Sequence, residues 1–141
     1  MRVRLALTAA GLLAAVTAAT APLAHAGGAD GLSVDGFGLV AADSTVTLSG
    51  TYRCLDDSAG PVLVGSTLVQ GSRSAGIGGT RAVCDGRLHT WVNTSVVKDP
   101  AYQPGTAHVR ATLMQLTTGE TGLPTPGFLA TETSDVELYE G

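Results

Sequence analysis

The chain has 141 residues, 12 acidic and 8 basic, for a formal net charge of −4, and 44% of its side chains are hydrophobic but only 4% aromatic. That length fits one domain. The acidic balance excludes the clustered Lys and Arg by which proteins hold nucleic acid or anionic membrane surfaces.

In MRVRLALTAAGLLAAVTAATAPLAHAGG, Arg2 and Arg4 precede an apolar run from Leu5 to about Ala19, and Ala24-His25-Ala26 has the small-x-small pattern of a cleavage site. A secretory signal peptide over residues 1–26, cleaved after Ala26, is expected. The run is short for a membrane span and lacks a basic stop-transfer flank. Residues 27–141 would then form a single β-sandwich domain. No cysteine follows the apolar run to carry a lipid, and LPTPG at 123–127 places Pro126 where the sortase pattern LPxTG needs threonine. The expectation is a secreted, extracellular monomer with no membrane attachment after cleavage. Its two cysteines, Cys54 and Cys84, are expected to pair in an oxidising compartment.

Short alternating runs punctuated by Gly, Pro, Asp and Ser follow the leader, the signature of strands and turns. A short first strand is expected near LSVDGFGLV. STVTLSGTYRC places Val46, Leu48, Gly50, Tyr52 and Cys54 on one face, with Thr and Ser opposite. LDDSAG reads as a turn, and PVLVGSTLVQG as a central strand, apolar on both faces. The glycines at 76, 78 and 79 lack the Lys-Ser/Thr ending of a phosphate loop and read as flexibility before a strand, with Arg81 solvated. In TRAVC-DG-RLHTWVN, Asp85-Gly86 predicts a two-residue type I′ hairpin pairing Cys84 with Arg87, Val83 with Leu88 and Ala82 with His89. GTAHVRATLMQL offers Ala107, Val109, Ala111 and Leu113 as an inner face, with His108, Arg110 and Thr112 opposite. TTGETGLPTPG, residues 117–127, reads as the longest loop. GFLATETSDVELYE ends in a strand alternating Val136 and Leu138 with Asp135, Glu137 and Tyr139. About seven strands at this spacing predict an all-β fold, an antiparallel immunoglobulin-like β-sandwich with one disulfide.

The stretch GIGGTRAVCDGRLHTWVN concentrates chemistry. If its disulfide face turns inward, Trp91 and His89 lie beside the bridge as core; if Val83, Leu88 and Val92 turn inward, they form a surface hot spot. Arg81, His89 and Trp91 are therefore the candidate binding residues. No catalytic set is evident: the chain after the leader has only His89 and His108, with no G-x-S-x-G elbow. Asp85, His89 and His108 would make a metal site only on neighbouring strands, and Asp56-Asp57-Ser58 lacks the pattern of a calcium loop. No metal or other cofactor is expected. Asn93-Thr94-Ser95 matches the N-glycosylation pattern, incidental in a composition of bacterial character.

TVTLSGTYRC, GIGGTRAVCDG with its following His-x-Trp, and PGTAHVRATLMQL together resemble small secreted actinobacterial proteins grouped as a domain of unknown function, over roughly residues 45–117. The resemblance implies export and a single bridged β-domain, and brings no activity. More distantly, the presumed sandwich is similar in architecture to the secreted immunoglobulin-like apoproteins that carry enediyne antibiotics. The functional expectation is a non-catalytic extracellular binding module for a protein or small apolar ligand. Alternatives are a secreted protease inhibitor using residues 117–127 and a small hydrolase depending on His89 and His108.

Overall fold

The computed structural model describes residues 29–141; the expected leader and its cleavage site after Ala26 lie outside them. Eight strands form: β1 (Gly31–Val34), β2 (Phe37–Val40), β3 (Thr45–Arg53), β4 (Val62–Gln70), β5 (Arg73–Arg81), β6 (Leu88–Val96), β7 (Gly105–Thr118) and β8 (Pro124–Glu140). They hydrogen-bond into one sheet. Alternate side chains point to opposite faces of a strand, so the apolar period decides what turns inward. Val46, Leu48 and Tyr52 of β3, Val62, Val64 and Leu68 of β4, Val109 and Leu113 of β7, and Val136 and Leu138 of β8 are buried in one core, as their alternation predicts.

β3 is the hub. β6 runs antiparallel along one whole edge, from Thr45↔Val96 to Arg53↔Leu88, while β1 and β2 share the other. The expected first strand is divided at Asp35-Gly36. There Asp35 N donates to Ser49 O at 2.9 Å, and the Asp35 carboxylate accepts from Ser49 Oγ at 2.7 Å. The chain then leaves for β8, which β2 joins in parallel, Phe37↔Glu137 to Val40↔Glu140. The antiparallel expectation is corrected at that ladder. β8, β7, β4 and β5 continue antiparallel, and β4 is central, as its two apolar faces suggest.

β6 also folds back over β4 and β5. The buried Asn93 donates through Nδ2 to Val64 O at 3.1 Å and to Ser66 Oγ at 2.9 Å. Its Oδ1 accepts from Thr80 Oγ1 at 2.5 Å, and Ser66 in turn donates to Ile77 O at 2.6 Å. Every polar atom of this buried group is matched, the condition under which such a network fixes one arrangement of strands.

Three sequence expectations are corrected. Asp85-Gly86 turns the chain, with Gly86 at φ 78°, but the two-residue hairpin does not form. Residues 82–87 belong to no strand, and His89 pairs with Tyr52 rather than Ala82. A nine-residue ladder on β3 wins over a short local hairpin. The hairpin in this region is Gly71-Ser72, closed by Gln70↔Arg73 with Gly71 at φ 61°, a Gly-first two-residue turn. Second, Gly76, Gly78 and Gly79 lie inside β5 rather than in a flexible lead-in. Gly78, at φ 61°, crosses β6 so closely that a Cβ would stand 2.7 Å from Thr94 O. Third, much of the expected loop at 117–127 is paired, Thr117↔Thr125 and Thr118↔Pro124.

Tyr102, buried just before β7, donates its hydroxyl to Leu68 O at 2.6 Å. Burial holds its phenol above the ordinary value. The folded state therefore prefers the neutral phenol, and this stabilisation is complete below about pH 10 and lost as pH rises through the higher folded value. Tyr102→Phe should cost about 1 kcal/mol near neutrality. The gap in melting temperature between the two proteins should narrow above about pH 10; a gap independent of pH would contradict this.

Candidate functional site

The three residues singled out from sequence are not brought together. Trp91 is fully buried, and its Nε1 donates to Ser33 O at 2.9 Å. The inward reading of its face is the one realised, with Val83, Leu88 and Val92 exposed. Trp91 is thereby removed as a surface residue. His89 is half-buried at the disulfide corner, its ring stacked on Tyr52 with centroids 5.4 Å apart. His89 Nε2 lies 2.8 Å from Asp85 Oδ1. Asp85 is held below the usual carboxylate range, first by the Arg87 backbone N–H and then by His89. Gly86 N to Cys54 O at 3.0 Å and Val83 N to the Tyr52 hydroxyl at 2.9 Å complete a corner whose polar groups are spent on one another. Cys54 and Cys84 are bonded there. Arg81 is exposed at the end of β5 opposite Leu63.

His108 sits on β7, hydrogen-bonded to Asp135 across on β8, with both side chains well exposed. Among the described residues no three His, Cys, Asp or Glu side chains are grouped to hold a metal ion.

Strand register builds a second surface that no local motif marks. Across β5, β4, β7 and β8 the outward residues fall into rows. The first is Arg81, Leu63, Met114 and Phe128; the second is Gly79, Gly65, Thr112 and Thr131. Gly76, Thr67, Arg110 and Thr133 make the third, and Ser74, Val69, His108 and Asp135 the fourth. Glycines on β4 and β5 lower the surface beside Thr67 and Thr112. Two depressions result, one of about 360 Å³ bounded by Thr67, Val69, His108, Arg110 and Thr133. The other, of about 340 Å³, is bounded by Arg110, Thr112, Phe128, Thr131 and Thr133. They meet at Arg110. The ion pairs among the described residues are His89–Asp85 and His108–Asp135, so no carboxylate neutralises the exposed Arg110 guanidinium.

Beside this face the β7–β8 hairpin runs past its neighbours. β4 pairs with β7 only as far as Gln115, whereas β7 and β8 continue together to Thr118↔Pro124. Gly119 and Leu123 close the end, through Gly119 N to Leu123 O at 3.2 Å. Leu123 is 67% exposed and Phe128 65%. Sequence reasoning missed Arg110 and Phe128; the available signal was a lone arginine in the outward series Thr106, His108, Arg110, Thr112.

These features define a small all-β domain closed by one disulfide. Residues 28–141 match the family described as "Family of unknown function (DUF6299)", and the chain belongs to that family. The resemblance to a family of unknown function is thus borne out, and the match extends over all of the described residues. No curated protein matches the chain. Among solved structures it is similar to part of the β-glucosidase from Listeria innocua in complex with isofagomine, at 12% identity and TM-score 0.42, over 79% of this chain and 16% of that one. It is also similar to part of the Pseudomonas fluorescens alkylpurine DNA glycosylase AlkC bound to DNA containing an abasic site analog, at 12% identity and TM-score 0.34, over 72% of this chain and 27% of that one. The chain thus spans only a small part of either protein.

Proposed function

We propose that the protein is exported and acts outside the cell as a non-catalytic binding module, built as an immunoglobulin-like sandwich. The strand order supports that architecture: in such a sandwich β1, β3 and β6 would make one layer and β8, β7, β4 and β5 the other, with β2, paired to both β3 and β8, as the link. A buried Trp in the same core as a bridged cysteine fits the same plan, and a disulfide suits an oxidising compartment.

The observation that carries the binding role is the exposure of Leu123, at the end of the projecting β7–β8 ribbon, and of Phe128, on β8 at the base of that ribbon. Large apolar side chains left in water on or beside a protruding element are what interfaces use as anchors. Part of the 117–127 segment named from sequence lies on this ribbon. The test is retention of extracellular proteins or small molecules from the producer's medium on the immobilised protein, compared with Leu123→Ala/Phe128→Ala. The double variant should lose a defined bound species while its stability changes by less than about 0.5 kcal/mol per site. Undiminished retention would remove the ribbon from the binding surface.

A further inference from the structure

We propose that the trough around Arg110 binds a carboxylate-bearing saccharide chain, a polyuronate. This inference rests on the reading of the protein as an extracellular binding module and names its ligand class.

The charge at the trough comes first. The chain carries more acid than base, yet the three rows from Phe128 to Thr133 contain Arg81 and Arg110 and no acidic residue. Arg110 stands where the two depressions meet, without a carboxylate partner. A guanidinium presents a planar fork that fits the two oxygens of a carboxylate, so a ligand acid would complete a pairing the fold leaves open. Asp135 does not compete, because His108 holds it one row further on.

The surroundings select a polyol. Thr67, Thr112, Thr131 and Thr133 flank the guanidinium, and each hydroxyl can donate one hydrogen bond and accept others. A sugar ring presents the same mixture of donors and acceptors on its hydroxyls. Phe128, exposed at the end of the second depression, offers an aromatic face to the C–H face of a pyranose ring. Neither depression is closed, and Arg110 and Thr133 belong to both. A ligand can therefore continue through the trough, with a ring on each side of the carboxylate that Arg110 holds.

The experiment is calorimetric titration of the purified protein with a polygalacturonate oligomer, and with the same oligomer methyl-esterified. The acid form should bind and the ester should not. Arg110→Ala should weaken binding roughly 10- to 100-fold, the range for losing a charge-assisted hydrogen bond. Arg110→Lys should resemble the alanine variant more than the wild type, because it keeps the charge but not the fork. Phe128→Ala should also weaken binding, while Arg87→Ala at the disulfide corner should not. All three positions are exposed, so unchanged melting temperatures will show that each variant is folded. Absence of binding, equal binding of acid and ester, or indifference to Arg110→Ala would overturn the proposal. Equal affinity for a sulfated glucan would reduce the trough to a general anion site and overturn the choice of carboxylate. If an extracellular species depends on Leu123 and Phe128 but ignores Arg110 and polyuronate, the proposal fails while the binding-module reading stands; retention of nothing at all sinks both.

Discussion

Trp91→Ala should cost about 3–5 kcal/mol, a large part of the stability of a domain this size. Trp91 ties three strands together. It projects from β6 into the core, pairs in register with Gly50 of β3, and hydrogen-bonds Ser33 O of β1. Gly50 supplies the room: a Cβ there would lie 2.7 Å from Trp91 Nε1 and 2.0 Å from Ser33 O. Truncation would therefore leave a cavity that the Gly50 side of the ladder, having no side chain, cannot fill. Trp91→Phe should cost less, since it keeps most of the apolar contact and loses the hydrogen bond to Ser33 O. The wild-type protein offers its own control, because its only tryptophan should emit at short wavelength when folded and shift to the red as urea exposes it. The variants need far-UV circular dichroism for the same titration. A loss below about 1 kcal/mol for the alanine variant would contradict a packing role.

The same contact explains what the sequence could and could not reveal. Strands β3, β4 and β7 were legible because each buries one face completely, and a one-residue slip would turn that whole set into water. The face of β6 was ambiguous, because Trp91 on one side and Leu88 and Val92 on the other are all apolar. Gly50 held a clue in plain view: it interrupts the inward series Val46, Leu48, Tyr52 at the position where the indole enters. The predicted Asp85-Gly86 hairpin failed for a different reason. Turn chemistry reports that the chain reverses, but the partner strand is chosen by long-range matching, and β3 offered β6 a complete ladder. β5 has no clear alternation of its own. It is recruited by the free edge of β4 through the Gly71-Ser72 turn, a dipeptide that local rules do recognise.

The outer face was less legible still. Arg110 and Phe128 are single exposed residues on different strands, and each alone reads as ordinary surface. They become neighbours because Arg110 pairs with Thr133 and Met114 with Phe128, across a bulge at Leu113/Met114. Without that irregularity the ribbon would present Phe128 on the other face. The trough is thus a product of register, and register is the quantity a single sequence specifies least directly.

Removing the disulfide with Cys54→Ala/Cys84→Ala should cost roughly 3–4 kcal/mol in the chain-entropy model. The bond joins the end of β3 to the corner before β6, at a sequence separation of 30, and encloses β4 and β5. Its native geometry has support of its own. Gly86 N to Cys54 O, Val83 N to the Tyr52 hydroxyl, and the His89–Asp85 pair hold the same corner. Those contacts should keep the corner in place once the sulfur atoms are gone, so the loss should arise chiefly in an unfolded chain freed to expand. Two consequences separate this from local damage. The urea m-value should rise, because the unbridged unfolded chain exposes more surface, and reduction of the wild-type protein should reproduce both changes. An unchanged m-value with the same loss of stability would place the effect in the native corner, and would mean that the hydrogen bonds around Cys54 depend on the bond they were expected to outlast.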